Sequence, residues 1–347
     1  MHKVTIYDVA KKCAVSPATV SRVLNNTDYP VSRELKELVT KTAHDMNYSP
    51  NLLSRALKTK NTKDIGVIVP TISNAYYSQL LQGICSAAAA KGYNVMLCSS
   101  FRDPVTENEN LKFLFQKQVN GIIIVSIGSD STLLNHIIKN NVKVVALEQT
   151  TDAPCSKVTF DYESGMHLAV QHLIDNGHRK IGFIGAKLDR PSRRLMLDGY
   201  KRCLCENNIP INESFIRLAE CESETNEQFE FSNGKKMAEK FLSLADVPTG
   251  YVCINDMTAI GAMNLFEEKG IKIPEDFSVI GFDNTPYAAF AHPPLTTVEQ
   301  SAYSMGQKAM EILTENAENG KTADFEFTPQ LICRSSVMKF RPHNAEF

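Results

Sequence analysis

Seven short apolar runs, rich in β-branched residues and separated by amphipathic stretches, restrict the fold of this chain more than any other feature. DIGVIVP (64–70), YNVMLCS (93–99), GIIIVSI (121–127) and KVVALEQ (143–149) form a first series, with helical periodicity over 76–91, 105–118 and 131–140 between them. A second series begins after about residue 160. Its strands are KIGFIGA (180–186), GYVCIND (250–256) and FSVIGFD (277–283), and its helices span roughly 164–176, 192–207, 233–244 and 257–269. A run that is apolar throughout, rather than on alternate residues, belongs to a strand covered on both faces, and strands alternating with helices build parallel sheets in α/β layers. Two such series predict two lobes facing across a cleft, about 64–160 and about 161–295, within a core over 64–340. Residues 302–335 are expected to return to the first lobe.

The first sixty residues follow a different rhythm. VTIYDVAKKCAVSPATVSRVLN (4–25) reads as two short helices joined by a tight turn. Thr5, with Asp8 three residues on, fits a capping box, and Ile6, Val9, Ala10 and Cys13 make one apolar stripe. Ala14-Val15 form the turn. Ser16 can cap the second helix, with Pro17 at the first helical position, where its missing N–H costs nothing. Val20, Val23 and Leu24 face inward. Pro17, Ala18, Ser21, Arg22 and Asn25 share the outer face, which suits a helix entering the DNA major groove. An ordinary helical hairpin carries the same caps and stripes, so the segment alone does not decide. Ser32 can cap a third helix with Leu35, Leu38, Val39, Ala43 and Met46 on one face, ending near Asn47-Tyr48. Residues 49–63 hold Leu52, Leu53, Ala56 and Leu57 at helical spacing, too short a helix to persist alone in water.

Composition supports that division. Hydrophobic residues make up 43% of 347, ordinary for a globular chain, and no apolar run approaches the ~18 residues of a membrane span. MHKVTIYD has no apolar secretory core, and nine cysteines lie scattered without metal spacing; reduced thiols in a cytoplasmic protein are expected. Residues 1–60 carry ten Lys/Arg and five Asp/Glu, a net +5 in a chain of net -2, so the remainder carries -7. A basic end on an acidic body suits phosphate contact by the small end alone.

TIYDVA (5–10), VS..TVSRVLN (15–25), NYSPN (47–51) and Leu57 together resemble the DNA-binding headpiece and hinge of the lac-repressor (LacI/GalR) family of bacterial transcription regulators. The resemblance continues over essentially the whole chain. It implies a helix-turn-helix headpiece over 1–48, all α, a hinge helix and linker over 49–63, and a two-lobed α/β core with the type I periplasmic-binding-protein fold. It implies a homodimer on double-stranded operator DNA. Contacts would come from Thr5, Ser16, Pro17, Ala18, Thr19, Ser21, Arg22, Asn25, Ser32 and Asn51, with Ala56 and Leu57 at the minor groove. One departure is Ala14, where most members have glycine.

In open α/β sheets, ligands bind beyond the carboxyl ends of strands. Those positions here are Thr71, Asn74, Tyr76 and Tyr77, then Glu148, then Arg190, Ser192, Arg193 and Arg194, then Asn255-Asp256 and Asp283-Asn284. Gln300 follows PPLTTVEQ, which matches the family's lobe-connecting strand. The resemblance matches Asn255-Asp256, Glu148, Asp283 and Gln300 to effector-pocket positions, and Tyr76 and Tyr77 are expected as contacts beside them. Phe229, five residues before Gly234, matches an aromatic that often stacks on the effector. Where the family usually has an arginine, three residues before Gly199, this chain has Met196; the expectation is that Arg194 or Arg190 replaces it, or that the anchoring arginine is absent. Carboxylates, amides and aromatic faces suit a sugar, and the arginines allow a uronate or sugar phosphate. A purine, or a phosphosugar corepressor, is the alternative ligand.

The rival classes are an α/β enzyme and a plain sugar-binding protein. No G-x-G-x-x-G, phosphate loop or G-x-S-x-G elbow occurs, and a sugar-binding protein has no use for a basic helix-turn-helix. The expectation is a non-enzymatic repressor, without cofactor or metal, whose operator affinity a small molecule controls.

Overall fold

The computed structural model describes residues 4–24, 30–49, 62–128, 130–148, 152–219, 229–315 and 322–340. The chain divides into two units, Met1–Thr62 and Lys63–Phe347.

In the first unit, helices α1 (Ile6–Lys12), α2 (Pro17–Leu24) and α3 (Arg33–Asp45) enclose one small core. Val9, Ala10, Cys13, Val20, Val23, Val39 and Ala43 are its buried members. Asp8 accepts from the Thr5 N–H at 2.8 Å and from the Thr5 hydroxyl at 2.7 Å. The Ser16 and Ser32 hydroxyls accept from the Thr19 and Leu35 N–H groups, capping α2 and α3. Leu38, expected inside, is 48% exposed; Thr42 takes the buried place on α3, one turn further along. Helices α1 and α3 end alike. Val15 N–H reaches Ala10 O and Ala14 N–H reaches Lys11 O, while Tyr48 and Asn47 repeat this on Ala43 and His44. Such an ending needs a left-handed residue, and Ala14 (φ 55°) and Asn47 (φ 51°) supply it.

Among the described residues of the second unit, each lobe holds one six-stranded sheet. The first has the order β11-β5-β4-β3-β1-β2, all parallel: β1 Asp64–Val69, β2 Asn94–Ser99, β3 Gly121–Ile124, β4 Lys143–Leu147, β5 Ser156–Phe160 and β11 Asp324–Phe327. Helices α4 (Ala75–Ala90), α5 (Pro104–Gln116), α6 (Thr132–Lys139) and α12 (Ala302–Glu315) accompany it. The second has the order β12-β10-β9-β8-β6-β7: β6 Ile181–Gly185, β7 Ile216–Leu218, β8 Gly250–Cys253, β9 Ser278–Asp283, β10 Thr296–Glu299 and β12 Gln330–Ile332. Only β12 runs antiparallel to its neighbour, β10. Helices α7 (Tyr162–Asp175), α8 (Pro191–Glu206), α9 (Phe229–Leu242), α10 (Asp256–Glu268) and α11 (Pro286–Phe290) belong to this lobe.

The strands carry the core. Ile65, Val67, Ile68, Val69, Ile122, Ile123 and Ile124 are at most 1% exposed, as strands covered on both faces must be. Helices α4 and α12 pack so closely that a Cβ on Gly83 would stand 2.0 Å from the Tyr303 carbonyl oxygen, and one on Gly306 2.2 Å from that of Leu80. The chain passes between the lobes after β5, after β10 and after β11. The segment 302–335 therefore does not return whole to the first lobe: α12 and β11 do, but β12 joins the second sheet. Beyond β12, Ser336 fastens the chain to the second lobe, donating to Val279 O and accepting from the Thr296 N–H. A three-residue edge strand has too little pattern to announce itself.

Ala14 is exposed, so its methyl group loses little contact if removed. A non-glycine residue in the left-handed region costs about 1–2 kcal/mol, against about 0.4–1 kcal/mol for glycine's greater unfolded freedom. Ala14→Gly should thus stabilise the first unit by roughly 0.5–1 kcal/mol. Chemical denaturation followed on that unit checks it; a lower midpoint would contradict the strain assigned to the turn.

Candidate functional site

Two surfaces carry chemistry, one in each unit. On the first, Ala18 and Arg22 of α2 are exposed and Pro17, Thr19 and Ser21 half-buried, while Val20 and Val23 anchor the opposite side. Thr5, Ser16 and Ser32 are exposed at the starts of α1, α2 and α3, and each is engaged at its own helix terminus. Lys11, Lys12, Arg33, Lys36 and Lys41 add exposed positive charge. Asn25, Asn51, Ala56 and Leu57 lie outside the described residues.

The second surface is a cleft between the lobes of about 550 Å³, including the space at its open mouth. Parallel topology builds it, because each polar lining residue ends a strand or follows one. Tyr76 and Tyr77 follow β1, Arg102 follows β2, Glu148 follows β4 and Tyr162 follows β5. From the other lobe come Arg190, Ser192 and Arg193 after β6, Asn255 after β8, Asp283 at the end of β9 and Gln300 after β10. Met196 and Ile254 complete the wall. The sequence-level candidates Tyr76, Tyr77, Glu148, Arg190, Asn255, Asp283 and Gln300 are all brought together here.

Arg194 and Phe229 stand elsewhere, as do the strand-end positions Thr71, Asn74, Asp256 and Asn284. Arg194 does not line the cleft: it is exposed and its Nη1 donates to Leu188 O at 2.8 Å. Arg193, one position earlier, turns inward beside Ser192 and Met196, held by Nη1 bonds to Lys187 O and Asp189 Oδ1, both 2.9 Å. Phe229 is half-buried at the start of α9 and does not line the cleft either; the Arg102 guanidinium lies 5.7 Å from its ring centre. Arg102 and Tyr162 were not singled out from sequence. Arg102 lies three residues past YNVMLCS, so the strand-end rule could have found it. Tyr162 follows β5, a strand that sequence reading did not identify.

Arg102 also reaches across the lobes. Its Nη2 pairs with Glu230 on α9, and Asn74 Nδ2 approaches the same carboxylate at 3.4 Å. Thr71 is buried and serves locally, accepting from the Ser73 N–H, while Asn74 Oδ1 accepts from the Tyr76 N–H and caps α4.

The cleft's carboxyl groups are unusual. Burial pushes Glu148 up to about 7, against hydrogen bonding from Tyr76 and Tyr77 and the charges of Arg190 and Arg193. Burial, then the neighbouring Asp256 and Glu148, hold Asp283 well above the usual carboxylate range, opposed by Gln300, whose Nε2 donates to it at 2.5 Å. Glu148 Oε1 and Gln300 Oε1 are buried without a hydrogen-bond partner. The backbone is strained at the same places, with φ 62° at Glu148, 113° at Asp283 and 54° at Ser301. Buried acceptors awaiting donors, on strained backbone, mark a site shaped for something other than the chain itself. Among the described residues, no group of three or more His, Cys, Asp or Glu side chains could hold a metal ion, and no helix is long and apolar enough to cross a membrane.

A carboxyl whose folded-state pKa is raised binds more protons folded than unfolded, so stability falls as pH rises between the two values. For Glu148 that window runs from about pH 4.5 to about pH 7. Glu148→Gln should remove this contribution: stability relative to the unsubstituted chain should rise between the low and high ends of the window. Urea titrations at both ends measure it; a constant difference would show that Glu148 titrates normally.

Comparison with known proteins agrees with this arrangement. Residues 5–51 match the family described as bacterial regulatory proteins, lacI family, and residues 170–337 match the periplasmic binding protein-like domain. The HTH-type transcriptional repressor PurR of Aliivibrio salmonicida is 33% identical over 339 residues, covering 96% of this chain and 99% of that protein. Catabolite control protein A of Priestia megaterium is 35% identical over 348 residues, covering 99% and 98%. Among solved structures, the lac repressor dimer bound to operator and the anti-inducer ONPF is similar with a TM-score of 0.85 at 27% identity, covering 97% of this chain and all of that one. A helix-turn-helix unit, a two-lobed α/β core and relatives matched from end to end place the chain in the lacI family of bacterial regulatory proteins.

Proposed function

We propose that the chain is a homodimeric repressor whose affinity for operator DNA is set by a small polyhydroxylated effector, a sugar or sugar derivative, bound between the lobes of the core. The observation that carries the effector assignment is the pair of partnerless buried oxygens, Glu148 Oε1 and Gln300 Oε1, on two residues that line one cleft. Acceptors of this kind bind hydroxyl donors, and leaving them unmet costs about 1–3 kcal/mol each. Tyr76 and Tyr77, which meet edge to face at 78°, and Tyr162 give the cleft aromatic surface that suits the apolar side of a sugar ring.

The regulatory logic is thermodynamic. A ligand shifts an equilibrium only by its difference in affinity between the two states, and a cleft walled by both lobes is a place where lobe geometry changes affinity. On the DNA side, two headpieces read two half-sites, so a second copy of the chain supplies the symmetry a palindromic operator requires. Glu148 and Asp283 act as binding groups, with no catalytic step assigned to them.

A thermal-shift screen of sugars, uronates and sugar phosphates tests the reading, since a ligand bound only by the folded core raises its apparent stability. Asp283→Ala should leave operator binding intact and weaken the effector found by roughly fivefold to a hundredfold, the cost of leaving a buried polar group unsatisfied. Calorimetry giving unchanged affinity would remove the cleft from consideration.

Arg22 is the long cation on the exposed side of α2 and is proposed to reach a base edge or a phosphate. If it reads a guanine, Arg22→Ala should cost about 1–3 kcal/mol on the specific operator and relax preference at that position. Equal affinity for the operator before and after substitution, in a gel-shift titration, would reject the assignment.

A further inference from the structure

Hydroxyl recognition accounts for only part of the cleft. Three guanidinium groups, Arg102, Arg190 and Arg193, line it together with the carboxyl groups. Arg190 and Arg193 are each 8% exposed, so the fold holds their charges at the cleft wall instead of letting them trail in solvent. Both stand at the start of α8, a sixteen-residue helix with no acidic side chain in its first turn and no side-chain cap from Arg190. The positive end of that helix therefore adds to a wall that is already cationic. Asp189 pairs with Arg193 and Glu230 with Arg102, while the charge of Arg190 acts on Glu148 and on the buried Glu107. Burial raises Glu148 and Asp283, the two carboxyls that share the lining, so each carries less negative charge than an exposed carboxylate would. Glu148 and Gln300, each at least nine-tenths buried, line the same cleft, and each has one side-chain oxygen without a hydrogen-bond partner.

We propose that the effector is a polyhydroxylated anion: a sugar-sized molecule carrying one acid group, carboxylate or phosphate. Its acid group lies against Arg190, Arg193 and the start of α8, and its hydroxyls against Glu148, Asp283 and Gln300. The proposal rests on the assignment of the cleft as the effector site. Guanidinium groups suit it because they meet either kind of acid group in a forked, two-bond geometry. A neutral sugar would satisfy the oxygen acceptors while bringing no charge to the cationic wall.

The test is isothermal calorimetry on the full-length chain at constant ionic strength, with two matched sets of probes. One is glucose, glucuronate and glucose-6-phosphate; the other is galactose, galacturonate and galactose-6-phosphate. At least one acid or phosphate should bind while its neutral parent does not, and the carboxylate and phosphate arms show which acid group is read. Arg190→Gln and Arg193→Gln should each weaken that probe by roughly tenfold to a hundredfold. Cooperative unfolding of each variant shows that it folds, and two variants guard against the loss of either one. The proposal is overturned if a neutral sugar binds as tightly as its acid, if anion binding survives both arginine substitutions, or if no anionic probe binds. The reading beneath it fails separately. A neutral sugar whose binding is lost in Asp283→Ala leaves the cleft as the site and removes only the anion, whereas binding indifferent to Asp283→Ala and to both arginine variants lies outside the cleft.

Discussion

Parallel strand pairing is the constraint on which the core depends. Two parallel neighbours cannot be joined by a tight turn, so the connections, apart from the link from β4 to β5, carry the chain back through a helix, and the carboxyl ends of the strands collect at one edge of each sheet. With two sheets, two such edges face each other. The polar lining of the cleft is drawn from eight of these ends, which is why residues as distant in sequence as Tyr76 and Gln300 share one wall. The cost is local. Chains leaving strands at these ends turn sharply, and Glu148, Asp283, Asn284 and Ser301 adopt positive φ with ordinary side chains. Such conformations cost of order 1–3 kcal/mol each and persist only where their surroundings fix them.

Asp256 does much of that fixing in the second lobe. It is fully buried, yet its carboxylate accepts from the Thr285 N–H at 2.6 Å, the Thr285 hydroxyl at 2.9 Å and the Thr297 hydroxyl at 2.5 Å. Three hydrogen bonds tie the start of α10 to the chain beyond β9 and to β10, bracketing Asp283 and Gln300. Arg334 continues the brace, donating to Leu295 O and Asn284 Oδ1. The brace also has an electrostatic consequence. Its charge is among the causes that keep Asp283 reluctant to ionise, so a structural carboxylate helps set the chemistry of a binding one.

Element type was legible wherever a pattern was long. The seven apolar runs became β1, β2, β3, β4, β6, β8 and β9, and the caps Thr5, Ser16 and Ser32 sit where their sequence contexts put them. What failed was short or depended on rotation. SKVTF alternates in burial and is flanked by no helix signal before it, so β5 and its follower Tyr162 were missed. β7 and β12 have three residues each, and a strand that short is defined by its partner instead of by its own pattern. The choice between Arg193 and Arg194 turned on about 100° of helix rotation, which spacing from an uncertain helix start does not resolve. Ala14 departs from the family's glycine, and its φ supplies the physical reason glycine is usual there.

Arg102 connects recognition to shape. It lines the cleft from the first lobe, stands over Phe229, and pairs with Glu230, both on α9 of the second lobe. Arg102 and Glu230 are nearly buried, with side chains 10% and 14% exposed, so their attraction is little weakened by solvent and either partner is costly to strand. A ligand that draws on Arg102 draws on the same guanidinium that bridges the lobes. Binding energy realised at Arg102 is then necessarily different in a geometry where Glu230 is near and one where it is not. That difference is the quantity linkage requires for a small molecule to bias a lobe geometry, and it arises from one side chain serving two partners. A ligand confined to Asn255 and Asp283, both on the second lobe, could bind tightly and still bias nothing.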